Sequence, residues 1–161
     1  MARWERPVKA VIGRIVLNAG EAEELAQETF VRLWQQRERF QPGAEFRPWM
    51  FAIAVNLARN RLRWWRRRPT VELGEWMESG AEAGDGGGVG AVALERAERV
   101  EAVQAAVAAL PADLREALVL FEFEELSQAE IAAVLRTTPK AVESRVARAR
   151  ERLRRSLRLV D

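Results

Sequence analysis

Two closely spaced helix starts near the C-terminus constrain the fold of this chain more than any other feature of its sequence. Ser127 and Glu130 have the spacing of a capping box, in which each side chain accepts a hydrogen bond from the other residue's backbone amide. Thr138 and Pro139 mark the second start, because threonine caps helices and proline fits the first helical position. The apolar stripe between the two starts extends only to Leu135. This spacing predicts a helix-turn-helix.

The second helix of this motif has one apolar and one basic face. Its buried side is predicted by four apolar residues at helical spacing, Val142, Val146, Ala149 and Leu153. The other side carries polar and basic residues, Ser144, Arg145, Arg148, Arg152 and Arg155. A basic helix at this place in the motif is typical of contacts with DNA phosphates and base edges. An ordinary helical hairpin with a solvated basic face is the alternative interpretation.

The rest of the chain also favours helices. Apolar residues recur at helical spacing over most of the 161 residues, which predicts an all-α fold. Cysteine and histidine are absent, which excludes disulfides, thiolate or imidazole metal sites and histidine-activated nucleophiles. Since no nucleotide-binding loop or metal cluster is recognisable either, we expect no catalytic residues, no metal and no cofactor. No apolar run approaches the roughly 20 residues of a membrane span, and no secretion signal is found. We therefore expect a cytoplasmic protein without membrane insertion.

Charge is segregated along the chain. Residues 1–68 include 14 basic and 7 acidic residues, and residues 131–161 include 9 basic and 3 acidic residues. The middle, residues 69–130, carries 3 basic and 14 acidic residues. Two basic ends suit a polyanion that is contacted at two places.

Two helices are predicted before the first turn. An apolar stripe from Val8 to Val16 predicts a short first helix that stops at residues 18–20. The second helix, residues 21–37, is predicted to bury one face that includes Leu25 and Trp34. Its opposite face is polar and carries Glu24, Gln27 and Glu28.

A long third helix is predicted from about Arg47 to Arg67, opened by Pro48. Its end is strongly basic, with six arginines and two tryptophans in residues 59–68. This composition fits phosphate contacts combined with stacking of aromatic rings on bases. For Trp64 and Trp65, closure of the hydrophobic core is an equally good interpretation.

Residues 69–91 are predicted to form a flexible linker, because seven of the ten glycines lie there. Helical patterns resume at residues 91–109 and 112–124 and continue into the helix-turn-helix. The sequence therefore predicts two small helical domains, a three-helix module in residues 1–68 and a four-helix module in residues 92–161.

Both halves resemble the extracytoplasmic-function (ECF) group of bacterial RNA polymerase sigma factors. The first half is similar to sigma region 2 in residues 21–30, 46–49 and 53–58. The second half is similar to sigma region 4 in residues 109–111, 126–132 and 142–150. The resemblance implies a protein that binds core RNA polymerase and directs promoter recognition at a restricted set of promoters.

The resemblance also implies roles for individual positions. Contact with the clamp helices of the largest polymerase subunit would fall to Glu24, Gln27 and Glu28. Recognition of the promoter melting element would fall to Phe46, Asn56, Arg59, Arg61 and Arg63. Recognition of the upstream promoter box would fall to Glu143, Ser144, Arg145, Ala147 and Arg148. The implied partners are core RNA polymerase, including the flap of its second-largest subunit, promoter DNA and an anti-sigma factor.

Two other functions remain open at this point. A sigma mimic would sequester an anti-sigma factor without reading promoters, but it would gain little from the two basic stretches. A dimeric helix-turn-helix regulator would use only the second half and would leave the region 2-like residues without a role. A molecular mass in solution discriminates between a dimeric regulator and a monomeric sigma factor.

Overall fold

Helices make up all of the regular structure in the residues that the computed structural model describes, 2–67 and 90–158. The α-helices in these ranges are α1 (Ala2–Val16), α2 (Ala19–Gln35), α3 (Phe46–Arg66), α4 (Ala91–Ala108), α5 (Ala112–Glu122), α6 (Gln128–Leu135) and α7 (Pro139–Arg158). A turn of 3-10 helix, Arg37–Arg39, follows α2. The predicted all-α fold is confirmed. The predicted linker lies outside the described residues, apart from Gly90 and Ala91.

The first helix is longer than its apolar stripe indicates. It begins at Ala2 and continues through Pro7, so the prediction of a short helix is wrong. Trp4 explains the extension, because its ring packs 5.8 Å from that of Phe46 and adds an apolar contact before the stripe begins. The predicted end of the first helix coincides with the start of the second: the Asn18 side chain accepts a hydrogen bond from the Glu21 amide at 2.9 Å and caps α2.

Helices α1, α2 and α3 pack against one another. Their contact buries a set of large apolar side chains completely, among them Ile12, Ile15, Leu25, Met50, Phe51 and Val55. Thr29 is buried among them and donates its hydroxyl to the Leu25 carbonyl at 2.7 Å. Trp34, predicted to lie on the same buried face of α2, is instead 61% exposed.

The helix-turn-helix is confirmed in α6 and α7. The capping box is complete: the Ser127 amide donates to the Glu130 carboxylate at 3.0 Å, and the Glu130 amide donates to the Ser127 hydroxyl at 3.1 Å. Thr138 caps α7 by accepting a hydrogen bond from the Ala141 amide at 3.1 Å. The apolar side of α7 is buried at Val142, Val146 and Ala149, as predicted.

The apolar core is continuous between the two halves. Helix α3 packs against α6, and α1 packs against α5. Arg115 on α5 is 6% exposed and donates to the Ile15 carbonyl at the end of α1, at 2.6 Å. The first and second halves of the chain therefore share an interface that contains both apolar and charged groups.

Arg136 ends α6 in the left-handed conformation, with φ 55° and ψ 51°. A side chain in this conformation costs roughly 1–2 kcal/mol, a penalty that glycine avoids. We expect Arg136→Gly to raise the free energy of unfolding by about 0.5–1 kcal/mol, since part of the relief is offset by the entropy of glycine in the unfolded chain. The melting temperature should rise by roughly 1–4 °C in a calorimetric scan. Arg136→Ala removes the same side chain without this relief, so an equal rise in both variants would contradict the backbone explanation.

Candidate nucleic-acid interface

The outward face of α2 brings together the three residues predicted to dock on a protein partner. Glu24 and Gln27 are exposed and Glu28 is partly exposed. Glu28 accepts a hydrogen bond from Arg32 Nη2 at 2.9 Å, and Glu24 Oε1 lies 3.5 Å from Arg61 Nη2. These pairs hold the carboxylates in place while leaving them accessible, so the face is ordered and acidic.

Two apolar side chains continue this face: Val31, which was predicted to lie on it, and Trp34, which was not. Val31 is 53% exposed, and Trp34 has the Arg37 guanidinium 4.1 Å from its ring centroid. Val31 and Trp34 lie four and seven residues after Gln27, which is the spacing of one helix face, and this spacing was the available sequence signal. Tryptophan is enriched at protein interfaces, so its exposure here favours a contact with a protein partner.

A second predicted group lies on α3. Asn56, Arg59 and Arg63 are spaced by three and four residues and share one face of the helix. They line a cleft of about 420 Å³. The cleft is completed by residues that were not predicted as site residues, Arg32, Gln36, Trp49, Ala52, Ile53, Val134 and Arg136. Since Val134 and Arg136 belong to the second half, the cleft lies between the two halves.

Arg61 does not join this group. Its guanidinium pairs with Glu21 and lies near Glu24, on the side of α3 that faces α2. A helix turns by 100° per residue, so a residue two positions from Arg59 and Arg63 lies on another face. Helical spacing alone therefore predicts from the sequence that Arg61 lies on a different face of the helix from Arg59 and Arg63.

Phe46 lies in an aromatic cluster with three other rings, Trp4, Phe40 and Trp49, at centroid distances of 4.9–6.1 Å. This cluster fixes both ends of the turn that precedes α3. The tip of the turn, residues 41–45, is exposed, and Gly43 has a φ of 91° that a side chain would strain. The Phe46 ring is therefore engaged in packing, and the exposed polar side chains at the tip of the turn are those of Gln41 and Glu45.

The two tryptophans at the end of α3 differ. Trp65 packs against the hydrophobic core, whereas Trp64 is 46% exposed. The core interpretation therefore holds for Trp65. Stacking of Trp64 on a base stays a prediction.

Arg59 connects α3 to the second half of the chain. Its Nε and Nη2 donate to the two carboxylate oxygens of Glu116 at 2.9 and 2.7 Å. Glu116 is only 3% exposed, and its hydrogen bonds raise the pKa of Arg59. One of the predicted DNA contacts is therefore occupied by a carboxylate from α5.

Two further charged contacts cross the same interface. Arg47 Nη2 donates to the Glu124 carbonyl at 2.5 Å, and the Arg14 guanidinium lies 3.9 Å from the Phe123 ring centroid. Burial raises the pKa of Glu124, while the charges of Arg47 and Arg14 act in the opposite direction. Sequence periodicity carries no signal for such contacts.

The predicted recognition face of α7 is assembled on one side of that helix. Glu143, Ser144, Ala147 and Arg148 are exposed, opposite the buried valines. Lys140 Nζ lies 3.2 Å from the Glu143 carboxylate, and Arg148 Nη2 donates to Ser144 Oγ at 3.2 Å. Arg145 is half-buried at the edge of this face. The surface therefore offers a carboxylate, a hydroxyl and a guanidinium side by side around a small alanine.

Residues 2–67 and 90–158 contain neither a metal-binding cluster nor a membrane-spanning helix. None of the acidic clusters in these ranges is suited to hold a metal ion. Likewise, none of the helices described there is long and apolar enough to cross a membrane.

Comparison with known families matches both halves. Residues 1–68 match the family model of Sigma-70 region 2, and residues 100–153 match that of Sigma-70, region 4. The RNA polymerase sigma-H factor of Pseudomonas aeruginosa is 35% identical over 160 residues, which cover 96% of this chain and 82% of the relative. The RNA polymerase sigma factor CarQ of Myxococcus xanthus is 34% identical, and the match covers 97% of this chain and 86% of the relative.

Solved structures show the same arrangement of helices. The sigma factor RpoE of Bartonella quintana, solved with the anti-sigma factor NepR, superposes with a TM-score of 0.77 at 25% identity, covering 96% of this chain and 91% of that chain. CnrH, solved with the cytosolic domain of CnrY, superposes with a TM-score of 0.71 at 28% identity, covering 99% of this chain and 86% of that chain. The chain therefore belongs to the ECF group of RNA polymerase sigma factors, the subunits that direct transcription initiation by the core enzyme.

Proposed function

We propose that this sigma factor divides its task among three surfaces, one on each of α2, α3 and α7. The observation that carries the proposal is the outward face of α7, where Glu143, Ser144, Ala147 and Arg148 stand opposite the buried residues of the same helix. A helix that follows a helix-turn-helix turn and is anchored in this way presents its outer side chains to a DNA major groove.

On α7, each exposed group suits a different contact. Arg148 provides a fork of donors for the guanine edge, and the Glu143 carboxylate accepts from the amino group of cytosine. Ala147 leaves room for close approach, and Ser144 donates or accepts. Arg145, at the edge of the face, contacts phosphates. Together these groups read the upstream promoter box.

On α3, the melting element of the promoter is read by Asn56, whose amide both donates to and accepts from a base edge. Arg59 and Arg63 hold the DNA backbone by charge-assisted hydrogen bonds. Phe46 acts indirectly by fixing the turn before α3. We assign Arg61 to the support of the α2 acids, because its guanidinium lies between Glu21 and Glu24.

On α2, the acidic row docks on the clamp helices of the largest polymerase subunit. Glu24, Gln27 and Glu28 supply the polar contacts, and Val31 and Trp34 extend them with apolar area. Arg32 and Arg61 keep the carboxylates oriented. A charged face of this kind selects its partner through electrostatic complementarity.

The remaining assignments follow from the family. Residues 1–68 and 92–161 act as two domains, and the second also contacts the flap of the second-largest polymerase subunit. An anti-sigma factor regulates the chain, as the partners solved with RpoE and CnrH suggest. The chain catalyses no reaction itself and acts in the cytoplasm together with the polymerase.

Run-off transcription tests the proposal directly. Purified core RNA polymerase is supplied with pooled genomic fragments, with and without this chain. We expect new, discrete transcripts that depend on the chain and that reveal its promoter. Stable polymerase binding without transcripts, or no binding at all, would contradict promoter-directing activity, and the second result would favour a sigma mimic.

Arg148→Ala tests the recognition face once a promoter is known. If Arg148 reads a base, binding should weaken by about 1–3 kcal/mol, and the preference at one promoter position should be lost. The measurement is a titration against promoter variants substituted at each position of the upstream box. Arg154→Ala is the matched control, because Arg154 is exposed on the same helix but on another side. A uniform loss for all promoter variants would make Arg148 a phosphate contact.

A further inference from the structure

The contact between Arg59 and Glu116 joins the two halves of the chain at a residue proposed to bind DNA. It is bidentate, with both guanidinium donors within 2.9 Å of separate carboxylate oxygens. The Glu116 side chain is 4% exposed, whereas the Arg59 side chain is 30% exposed. Arg59 is therefore accessible from the cleft, while its carboxylate partner is shielded from solvent by the closed interface.

A carboxylate and a phosphate compete for the same donors of an arginine. Both accept two parallel hydrogen bonds from the guanidinium fork, so one arginine holds only one of them in this geometry. Asn56 and Arg63 lie beside Arg59 on the same cleft, and its opposite wall is formed by Val134 and Arg136. A DNA strand that follows this face of α3 has to displace both the Glu116 carboxylate and the wall formed at the end of α6.

We propose that Glu116 takes the place of a promoter phosphate on Arg59 and holds the two halves in a closed state, so that α3 contacts DNA only after they separate. This inference rests on the proposed DNA contact of Arg59. The Arg47–Glu124 contact supports closure at the other end of the interface without involving Asn56, Arg59 or Arg63. When the two halves separate, the Glu116 carboxylate becomes solvated and Arg59 becomes available to an external anion.

Two substitutions break the same ion pair but differ in their expected effect on DNA binding. Glu116→Gln preserves the shape of the side chain, removes its charge and leaves Arg59 available. Arg59→Gln opens the interface equally but removes the guanidinium that would bind phosphate. Asp113→Asn is the control, because Asp113 is an exposed acid in the first turn of the same helix.

Separation of the halves is measured in the full chain by electron paramagnetic resonance. Since the chain has no cysteine, spin labels attach only at Glu23→Cys and Gln104→Cys, two exposed positions on α2 and α4. DNA affinity is measured by anisotropy with a fluorescent single strand of mixed sequence, over a range of salt concentrations. Circular dichroism and thermal melting verify that each variant remains folded.

We expect a narrow distance distribution in the parent chain and in Asp113→Asn, and a broad one that extends to longer distances in both variants of the ion pair. Glu116→Gln should bind the single strand about tenfold more tightly than the parent chain, because more of the molecules are open and the Arg59 guanidinium in them is available to a phosphate. Its binding should also depend more steeply on salt, by about 0.7 in the log–log slope, as one phosphate contact is gained. Arg59→Gln should show neither the tighter binding nor the steeper salt dependence, because it lacks the guanidinium that would bind phosphate.

A distribution that stays narrow in Glu116→Gln would overturn the proposal that this pair holds the halves closed. A broad distribution without tighter binding or a steeper salt dependence would overturn the competition with phosphate and the DNA contact of Arg59, while closure by Glu116 would stand. Equal gains in Glu116→Gln and Arg59→Gln would assign the added DNA binding to residues other than Arg59. Run-off transcription with the parent chain tests sigma activity independently of these outcomes.

Discussion

Replacing Arg115 with methionine should lower the free energy of unfolding by about 3–5 kcal/mol, the range for removing one partner from a buried charged network. The guanidinium is almost fully buried and donates to three backbone carbonyls, those of Ala108, Leu110 and Ile15, at 3.2, 2.8 and 2.6 Å. These carbonyls lie at or just after the ends of α4 and α1, where backbone acceptors have no partner within their own helix. Methionine has similar length but no donor, so the acceptors would remain buried and unsatisfied.

The positive charge of Arg115 is itself part of the arrangement. Burial lowers the pKa of this guanidinium, while the neighbouring Glu116 carboxylate acts in the opposite direction. A cation is favoured where the negative ends of two helix dipoles meet. Arg115 therefore stabilises the end of α4 and its contact with α1 at the same time, and its loss should weaken both the second half and the interface.

Urea unfolding followed by circular dichroism measures this effect. Arg115→Lys should recover part of the loss, because the ammonium group keeps the charge but lacks the fork that reaches carbonyls on two helices. Arg152→Met is the matched control, since Arg152 is exposed on α7 and should change the unfolding free energy by less than about 0.5 kcal/mol. A loss for Arg115→Met as small as that of the control would mean that the three carbonyls find other partners.

The parts of the fold that could be predicted from the sequence are those encoded locally. The capping box at Ser127 and Glu130 and the Thr138 cap depend on residues three positions apart, so their signals are visible in the sequence itself. The buried face of α7 follows from helical periodicity for the same reason. The outer face of α2 at Glu24, Gln27 and Glu28 could be located by exclusion from the apolar stripe.

Contacts between the halves could not be predicted in this way. Arg59 and Glu116 are 57 positions apart, and Arg115 and Ile15 are 100 positions apart. Charged residues at such separations have no periodic relation, and an arginine predicted to be solvated looks the same in the sequence as a buried one. The prediction for Trp34 was wrong for a different reason: its hydrophobicity indicated a core position, whereas in the structure its ring lies at the surface under the Arg37 guanidinium.

These cross-contacts alter how the basic stretch of α3 is understood. Regarded as a run of arginines, it is a uniform site for phosphates. In the folded chain three of its arginines face different partners: Arg59 faces the Glu116 carboxylate, Arg61 faces the acids of α2, and Arg63 donates to Asn60. Total positive charge therefore overstates the number of arginines available to phosphates, whereas Glu143, Ser144, Ala147 and Arg148, on the proposed DNA-contacting face of α7, are all exposed.

Reversing the charge of Glu28 should weaken the complex with core RNA polymerase at least about 30-fold, which corresponds to the lower end of the 2–5 kcal/mol range for interfacial charge pairs. Glu28 lies at the centre of the proposed docking face and pairs with Arg32 at 2.9 Å. Glu28→Arg would place two arginines one helical turn apart and would convert the acidic row into a mixed one. The measurement is a fluorescence titration of labelled chain with purified core polymerase.

The fold itself should tolerate this substitution. Both side chains of the Glu28–Arg32 pair are 40% exposed, and exposed pairs of this kind contribute only about 0–1 kcal/mol to stability. Glu101→Arg changes the net charge by the same amount on the exposed side of α4, so it separates local docking from general electrostatic attraction. Equal weakening in both variants would indicate that net charge governs the association, and unchanged affinity in Glu28→Arg would remove α2 from the docking surface. A selective loss in Glu28→Arg, with an unchanged circular dichroism spectrum, would instead assign polymerase docking to the acidic face of α2.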